Sequence, residues 1–220
     1  MPVEEPQLFD LGESGLLLCW DLPPHPRRSR EIGALGERLA VSPPPGLIEW
    51  VPGLCSLAVY YDPTCLARGA IAEKLLGLCA DLVLPFVHPS PPIVVPVCYG
   101  GEWGPDLEAV ARSAALDPKE VIRLHTEAIF EVVLIGFAPG FPYLAGLPAP
   151  IRLPRRSTPR TEVAKGSVAV AGALSGIYPR AGPGGWWVIG RTEWEWFDPC
   201  DPTPCRLAVG DRIRFCVRTG

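Results

Sequence analysis

Three stretches in the C-terminal half of this 220-residue chain carry residue types that folding alone does not demand. The first is Tyr99-Gly-Gly-Glu-Trp-Gly-Pro-Asp106. Paired glycines beside a strand end let a backbone approach a ligand closely or turn with positive φ. Glu102 and Asp106 stand at the start of a helix, where a carboxylate reads equally well as a cap. The second stretch is Gly136-Phe-Ala-Pro-Gly-Phe-Pro-Tyr143, followed by Leu144-Ala-Gly-Leu-Pro148. Phe137, Phe141 and Tyr143, separated by proline and glycine, make a stiff loop with little freedom to lose on binding. Such a loop fits the wall of a pocket for a small planar ligand or, in the plainer reading, a plug for one end of a barrel. The third stretch is basic: Arg152, Arg155, Arg156, Arg160 and Lys165 face a single acid in the same run, Glu162. Guanidinium groups match carboxylate or phosphate with a planar fork of donors. A solvated charged face is the alternative, but Pro154, Thr158 and Pro159 stiffen the chain around the arginines and favour anion binding.

Further on come Ser175-Gly-Ile-Tyr-Pro179, Gly182-Pro-Gly-Gly-Trp-Trp187 and Gly190-Arg-Thr192. Gly184 and Gly185 can expose backbone N–H groups to an anion. Tyr178 and Trp186 can stack on a ligand and Arg191 can pair with it, whereas Trp187 reads as core. Of three histidines, His25 and His88 sit in proline-rich loops, which leaves His125 as the one candidate general base. A histidine on a helix is more often packed than catalytic. Nothing matches GxxxxGK(S/T), a kinase-type glycine loop, GxSxG or HExxH. By motif alone the C-terminal half is a ligand-binding barrel.

The elements that must position these residues follow from periodicity. Leu16–Trp20 reads as a strand after a Gly-Glu-Ser-Gly turn, and Ser29–Ala40 as a helix with Ile32, Leu35 and Leu39 on one stripe. Leu47–Val51 and Leu54–Tyr61 read as strands broken by Pro52-Gly53. Thr64–Ala80 reads as a helix burying Ile71, Leu75, Leu76 and Cys79, with a closing strand over Leu82–Val87. Strand–helix–strand–strand–helix–strand is the split βαβ, ferredoxin-like plan, and it occupies residues 1–88. The proline-rich segment His88–Pro92 is the expected linker. Residues 89–220 open with the strand Ile93–Tyr99 and two short helices. The second helix starts with a capping Asp117, Pro118 at its first position and Glu120 at its third. Short β-type runs at Phe130–Ile135, Ser167–Ala171, Trp187–Ile189 and Asp211–Val217, punctuated by glycine and proline, predict a closed or nearly closed barrel. The fold class is therefore α+β.

Composition bounds the partners. Hydrophobic residues make up 48% and charged residues 20%, which fits a packed globular chain rather than a disordered one. The 28 prolines and 23 glycines argue for short strands and rigid loops over a helical bundle. A net charge of −4 gives no global field for nucleic acid or an anionic membrane. No apolar run approaches the roughly 20 residues needed to span a bilayer, and the acidic start MPVEEPQ is unlike a secretory signal, so the cytoplasm is the expected location. The eight cysteines show no CxxC and no short Cys/His spacing; they read as reduced, buried thiols, with Cys200 and Cys205 the one pair close enough for a local bridge or half a zinc site, and no metal site is expected.

In order along the chain, VCYGGEWGPDL, VIRLH, GFAPGFPYLAGLP, LPRRSTPR, GSVAVAG, GIYP, PGGWWVIGRT and GDRIRF resemble the KipI/PxpB family, also called allophanate hydrolase subunit 1 or carboxyltransferase subdomain C/D. The N-terminal half resembles it more loosely, through Leu11-Gly12-Glu13 and IEWVPGLCSLAVYYDP. The resemblance implies a ferredoxin-like N-terminal domain and a cyclophilin-like β-barrel. It implies a KipA/PxpC-type partner and a PxpA-type subunit, together an ATP-dependent 5-oxoprolinase that opens 5-oxoproline to glutamate. ATP is then expected in the assembled complex, with none held tightly by this chain. Two alternatives come with the family: inhibition of a sensor histidine kinase, and carboxyl transfer to urea-type amides, which needs a biotinylated partner. Site residues carried over are Tyr99, Glu102, His125, Phe141, Tyr143, Arg155, Arg156, Tyr178, Trp186 and Arg191. His125, Arg156 and Glu102 are the expected catalytic groups; Arg160, Gly184 and Gly185 join the substrate-binding set. The chain departs from the family pattern at Ala138, Ser175, Ala181 and Trp187, where leucine, threonine, serine and glutamine are common.

Overall fold

The computed structural model describes residues 5–21, 23–84 and 90–218. By internal contacts the chain divides into two compact units, Met1–His88 and Pro89–Gly220.

In the first unit, strands β1 (Gln7–Asp10) and β2 (Gly15–Cys19) precede helix α1 (Pro26–Val41). Strands β3 (Leu47–Pro52) and β4 (Ser56–Tyr61) follow, then helix α2 (Arg68–Ala80). Helix α1 begins three residues before the predicted start. The His25 side chain accepts a hydrogen bond from the Arg27 N–H, and Pro26 occupies the first turn. Its stripe Ile32, Leu35 and Leu39 is buried as expected. Helix α2 begins later than predicted, because Asp62 Oδ1 accepts from both the N–H and the hydroxyl of Thr64 and holds a turn ahead of the helix. On α2, Ile71, Leu75 and Cys79 are buried with Ala72, whereas the predicted core residue Leu76 is exposed.

The sheet is antiparallel in the order β1-β2-β4-β3. Leu16 lies opposite Val59 and Leu18 opposite Leu57, so alternation sends all four to one buried face. The expected closing strand over Leu82–Val87 is corrected in part. Leu82–Leu84 are not strand, and positions 85–87, like 88–89 at the start of the expected linker, lie outside the described residues. The sheet edge beside β2, where a split βαβ plan puts its last strand, is instead paired by β1 from the N-terminal side.

In the second unit, strand β5 (Ile93–Tyr99) leads into helices α3 (Leu107–Ala114) and α4 (Pro118–Glu127). Asp117 caps α4 by accepting from the Lys119 N–H, with Pro118 in the first turn. Strands β6 (Phe130–Ile135), β7 (Pro142–Ala145), β8 (Arg160–Val163), β9 (Ser167–Ala171) and β10 (Leu174–Ile177) follow. The chain ends with β11 (Gly182–Gly184), β12 (Trp187–Arg191) and β13 (Arg212–Val217). Seven of these strands close a barrel in the order β10-β7-β6-β13-β5-β12-β9, with β5 and β13 parallel and the other pairs antiparallel. Closure leaves no free sheet edge. Inside, Val95, Val97, Val132, Val168, Ile189 and Phe215 form the core with residues of α3 and α4.

Strands β8 and β11 stand apart as a two-stranded ribbon that pairs Gly184 with Arg160. Neither was visible as a strand from sequence, since glycine and proline dominate β11. The ribbon carries the basic stretch to the glycines before Trp186, and the Arg156 N–H donates to the Gly185 carbonyl.

Candidate functional site

The loop from β6 to β7 turns tightly. The Gly136 N–H donates to the Phe141 carbonyl and the Phe141 N–H to Ala138, with Phe137 at φ +67° and Gly140 at φ +78°. Gly140 is required there. A Cβ would lie 2.4 Å from the Phe197 ring, and the Gly140 carbonyl accepts from Trp196 Nε1 at 2.7 Å. So fixed, the loop sends Phe141 inward, buried, to the centre of an aromatic cluster. Its ring meets Tyr143, Tyr178 and Trp186 edge-on at centroid distances of 5.0, 5.2 and 5.6 Å. Edge-to-face contacts of this kind add about 0.5–1.5 kcal/mol each beyond burial. Gly176 on β10 leaves room for Phe141, since a Cβ there would come within 2.8 Å of the ring.

This cluster walls a cavity of about 210 Å³. Phe137, Phe141, Tyr143, Tyr178 and Trp186 form its aromatic side; Pro159, Pro183, Gly184, Gly185 and Arg155 complete it. Gly184 is glycine for a steric reason, because a Cβ would stand 2.2 Å from the Tyr178 hydroxyl. Burial raises the pKa of both tyrosines; the Arg155 guanidinium pulls each back, and on Tyr178 the Trp186 N–H bonded to its hydroxyl also pulls. Both hydroxyls therefore keep their protons at neutral pH.

The structure sorts the five cations of the basic stretch. Arg156 Nη1 donates to Asp106 Oδ1 at 2.8 Å, and Arg160 donates through both terminal nitrogens to Asp106, at 2.7 and 2.8 Å. The Val188 N–H donates to the same carboxylate at 2.7 Å. Arg152 Nε donates to the Leu147 carbonyl and Lys165 Nζ to Glu195. Among the described residues Arg155 alone of the five has no hydrogen bond or ion pair. Asp106 is 4% exposed and stands at the N-cap position of α3 as read from sequence, but its side chain makes no cap bond; it locks the basic stretch against β12 instead. No local signal marked it, because its partners lie 50 and 54 residues away.

Arg156, expected as a catalytic group, and Arg160, expected as a substrate ligand, are thereby corrected to structural partners of a buried carboxylate. The Arg156 guanidinium also lies 5.0 Å over the Trp187 ring, whose Nε1 donates to the Pro154 carbonyl. Trp187 is thus half-buried, one edge on the core and one face under Arg156.

His125 and Tyr99 lie apart from the cavity, inside the barrel. The imidazole is fully buried and stacks on Phe215 at 4.5 Å. Ser175 Oγ donates to the Ala169 carbonyl, so His125 Nε2 donates to Ser175 Oγ at 3.1 Å. His125 Nδ1 is left to accept from the Tyr99 hydroxyl at 2.7 Å. Burial pushes the imidazole pKa down to about 3 and the Tyr99 hydroxyl well up. A general base needs contact with substrate or water, which this ring lacks, so its assignment as catalytic is corrected to that of a neutral core residue.

Glu102 is exposed in the turn before α3 and does not line the cavity. Arg191 donates through Nε to the Lys165 carbonyl, stacks 5.2 Å from Trp103 and borders a different hollow with Thr192 and Trp194. Of the expected site residues, the cavity gathers Phe141, Tyr143, Arg155, Tyr178, Gly184, Gly185 and Trp186. It adds Phe137, read in sequence as part of the stiff aromatic loop, Pro159, read as stiffening the basic stretch, and Pro183, whose segment alone was singled out.

A Bacillus subtilis (strain 168) protein named as a subunit of 5-oxoprolinase is 35% identical over 95% of this chain and 91% of its own length. The solved structure of TTHA0988 is 38% identical with a TM-score of 0.76, covering 94% of this chain; the chain spans 40% of that longer one. The Kluyveromyces lactis urea carboxylase superposes over all of this chain and 22% of its own, with a TM-score of 0.77 at 18% identity, and so shares the fold. The family model for the carboxyltransferase domain, subdomain C and D, matches residues 6–207, and the chain belongs to that family.

Proposed function

We propose that this chain is the PxpB-type subunit of an ATP-dependent 5-oxoprolinase, acting in the cytoplasm with a KipA/PxpC-type and a PxpA-type subunit to convert 5-oxoproline to glutamate. The observation that carries the reading is an aromatic cavity closed on one side by a single unpaired guanidinium, Arg155. The near full-length relation to a 5-oxoprolinase subunit supports it. At about 210 Å³ the cavity suits a compact guest and falls short of the roughly 300–1,000 Å³ typical of larger ligands. The glycine-rich turn before α3 does not offer its amides to a phosphate. The glycine loop before α3 turns its amides inward, Gly104 and Trp103 both donating to Gly100, and Asp106 puts a carboxylate where an anion would meet the helix. ATP chemistry accordingly belongs to a partner subunit in this reading. No helix among the described residues is long and apolar enough to cross a membrane.

The test is co-purification of the assembled complex and measurement of glutamate release from 5-oxoproline with ATP. The complex is expected to release glutamate, and the isolated chain to release none. An intact complex that turns over ATP but leaves 5-oxoproline unopened removes the proposal.

A further inference from the structure

We infer that the cavity reads the carboxylate of a compact lactam acid, and that Arg155 is the residue that recognises it. That the acid is 5-oxoproline rests on the subunit reading above; that the site takes an anion rests on how charge is arranged around it. Of the three neighbouring arginines, Arg155, Arg156 and Arg160, the last two saturate the buried Asp106 carboxylate together with the Val188 N–H. Arg155 is left over, and among the described residues no aspartate or glutamate lines the cavity. The Arg155 guanidinium therefore remains available to a guest, and a carboxylate answers its planar fork with two parallel hydrogen bonds.

The rest of the wall selects what carries that carboxylate. Phe141, Tyr143 and Trp186 enclose the space with rings set edge to face, at interplanar angles of 65°, 88° and 68°, which suits a small flat ring more than an extended chain. The Tyr143 hydroxyl has no hydrogen-bond partner among the described residues, and it is a protonated phenol able to donate to a carbonyl oxygen. The Tyr178 hydroxyl already accepts from the Trp186 N–H, so its own proton is free to donate as well. A five-membered cyclic amide bearing a carboxylate presents each complement: a flat ring for the aromatics, a carbonyl for a phenol and an anion for Arg155. The Asp106 clamp is what makes this possible, since without it Arg156 and Arg160 would compete for the guest and leave its orientation undefined.

Calorimetric titration of the assembled complex without ATP tests the assignment. The probes are 5-oxoproline and 2-pyrrolidinone, the same ring lacking the carboxylate. Glutamate release with ATP is measured in parallel. The acid is expected to bind at least about tenfold more tightly than the bare lactam, the scale of a hydrogen-bonded charge pair. Arg155→Gln should weaken the acid by about tenfold to a hundredfold and leave 2-pyrrolidinone nearly unchanged. Arg155 is exposed and makes no internal bond, so the variant keeps its fold. Equal affinity for the two lactams, or an Arg155→Gln complex that binds the acid like the unaltered one, overturns the assignment while glutamate release leaves the subunit reading standing. A complex that binds the acid through Arg155 yet releases no glutamate upholds the pocket and removes the subunit reading.

Discussion

Asp106 and Arg160, 54 residues apart, meet in a forked ion pair with two N–O distances of 2.7 and 2.8 Å, and this pair ties the ribbon β8–β11 to the barrel at the start of α3. The same carboxylate holds Arg156 and the Val188 N–H, so one buried oxygen pair fixes three segments at once. Replacing Asp106 by alanine leaves two cations and an amide without their acceptor. The guanidiniums are about one-quarter exposed and recover part of their hydration. We expect a loss of about 3 kcal/mol, read as a lower urea midpoint, with Asp106→Asn losing less because it still accepts from Val188. Arg155→Gln should change the same midpoint by no more than about 0.5 kcal/mol, the scale of a surface substitution.

His125 makes the barrel sensitive to acid. Its folded pKa, near 3, lies below the ordinary value of about 6.5 that the unfolded chain would show. The unfolded state therefore binds the proton first. The neutral ring's contribution to stability is full above about pH 6.5 and declines as pH falls toward 3. At pH 5 the cost is about 2 kcal/mol relative to pH 7. Urea unfolding at the two pH values, in the unaltered protein and in His125→Gln, isolates it: the difference between pH values should be smaller in the variant by about that amount.

Gly184→Ala sets a methyl group 2.2 Å from the Tyr178 hydroxyl. Tyr178 is buried against Phe141 and cannot swing away freely. Either the ring or β11 must move, at a cost of about 1–3 kcal/mol. Both routes distort the cavity, so weaker binding of 5-oxoproline should accompany the lower thermal midpoint.

Phe141→Ala removes the hub of four aromatic contacts and leaves a void at a buried position on the cavity wall. A loss of about 3–5 kcal/mol is expected from chemical denaturation, among the largest for any single truncation in this unit.

Much of the barrel was legible because its strands advertise themselves. Phe130–Ile135 and Ser167–Ala171 are apolar runs bounded by turn residues, and the structure gives them the predicted limits. The stiff aromatic loop was legible too, since proline and glycine restrict the backbone whatever surrounds them. Strand β1 was not, because its residues are mostly exposed and its only argument for being a strand is the partner β2. Leu76 shows the same limit on a helix: it sits at a plausible spacing, yet the packing of α2 takes Ala72 instead.

Residue types and local stiffness, then, were determined by the sequence itself: which rings and guanidiniums exist, and that proline and glycine hold them on short rigid segments. Which of five neighbouring cations remains free for a ligand was decided only by tertiary structure. Charge pairing depends on distance in space, and Asp106 comes to the arginines through barrel closure rather than through any spacing along the chain. His125 makes the same point in reverse. Its chemistry suits a base, but seclusion behind Phe130, Phe215 and Tyr99 removes the solvent that a charged imidazole needs.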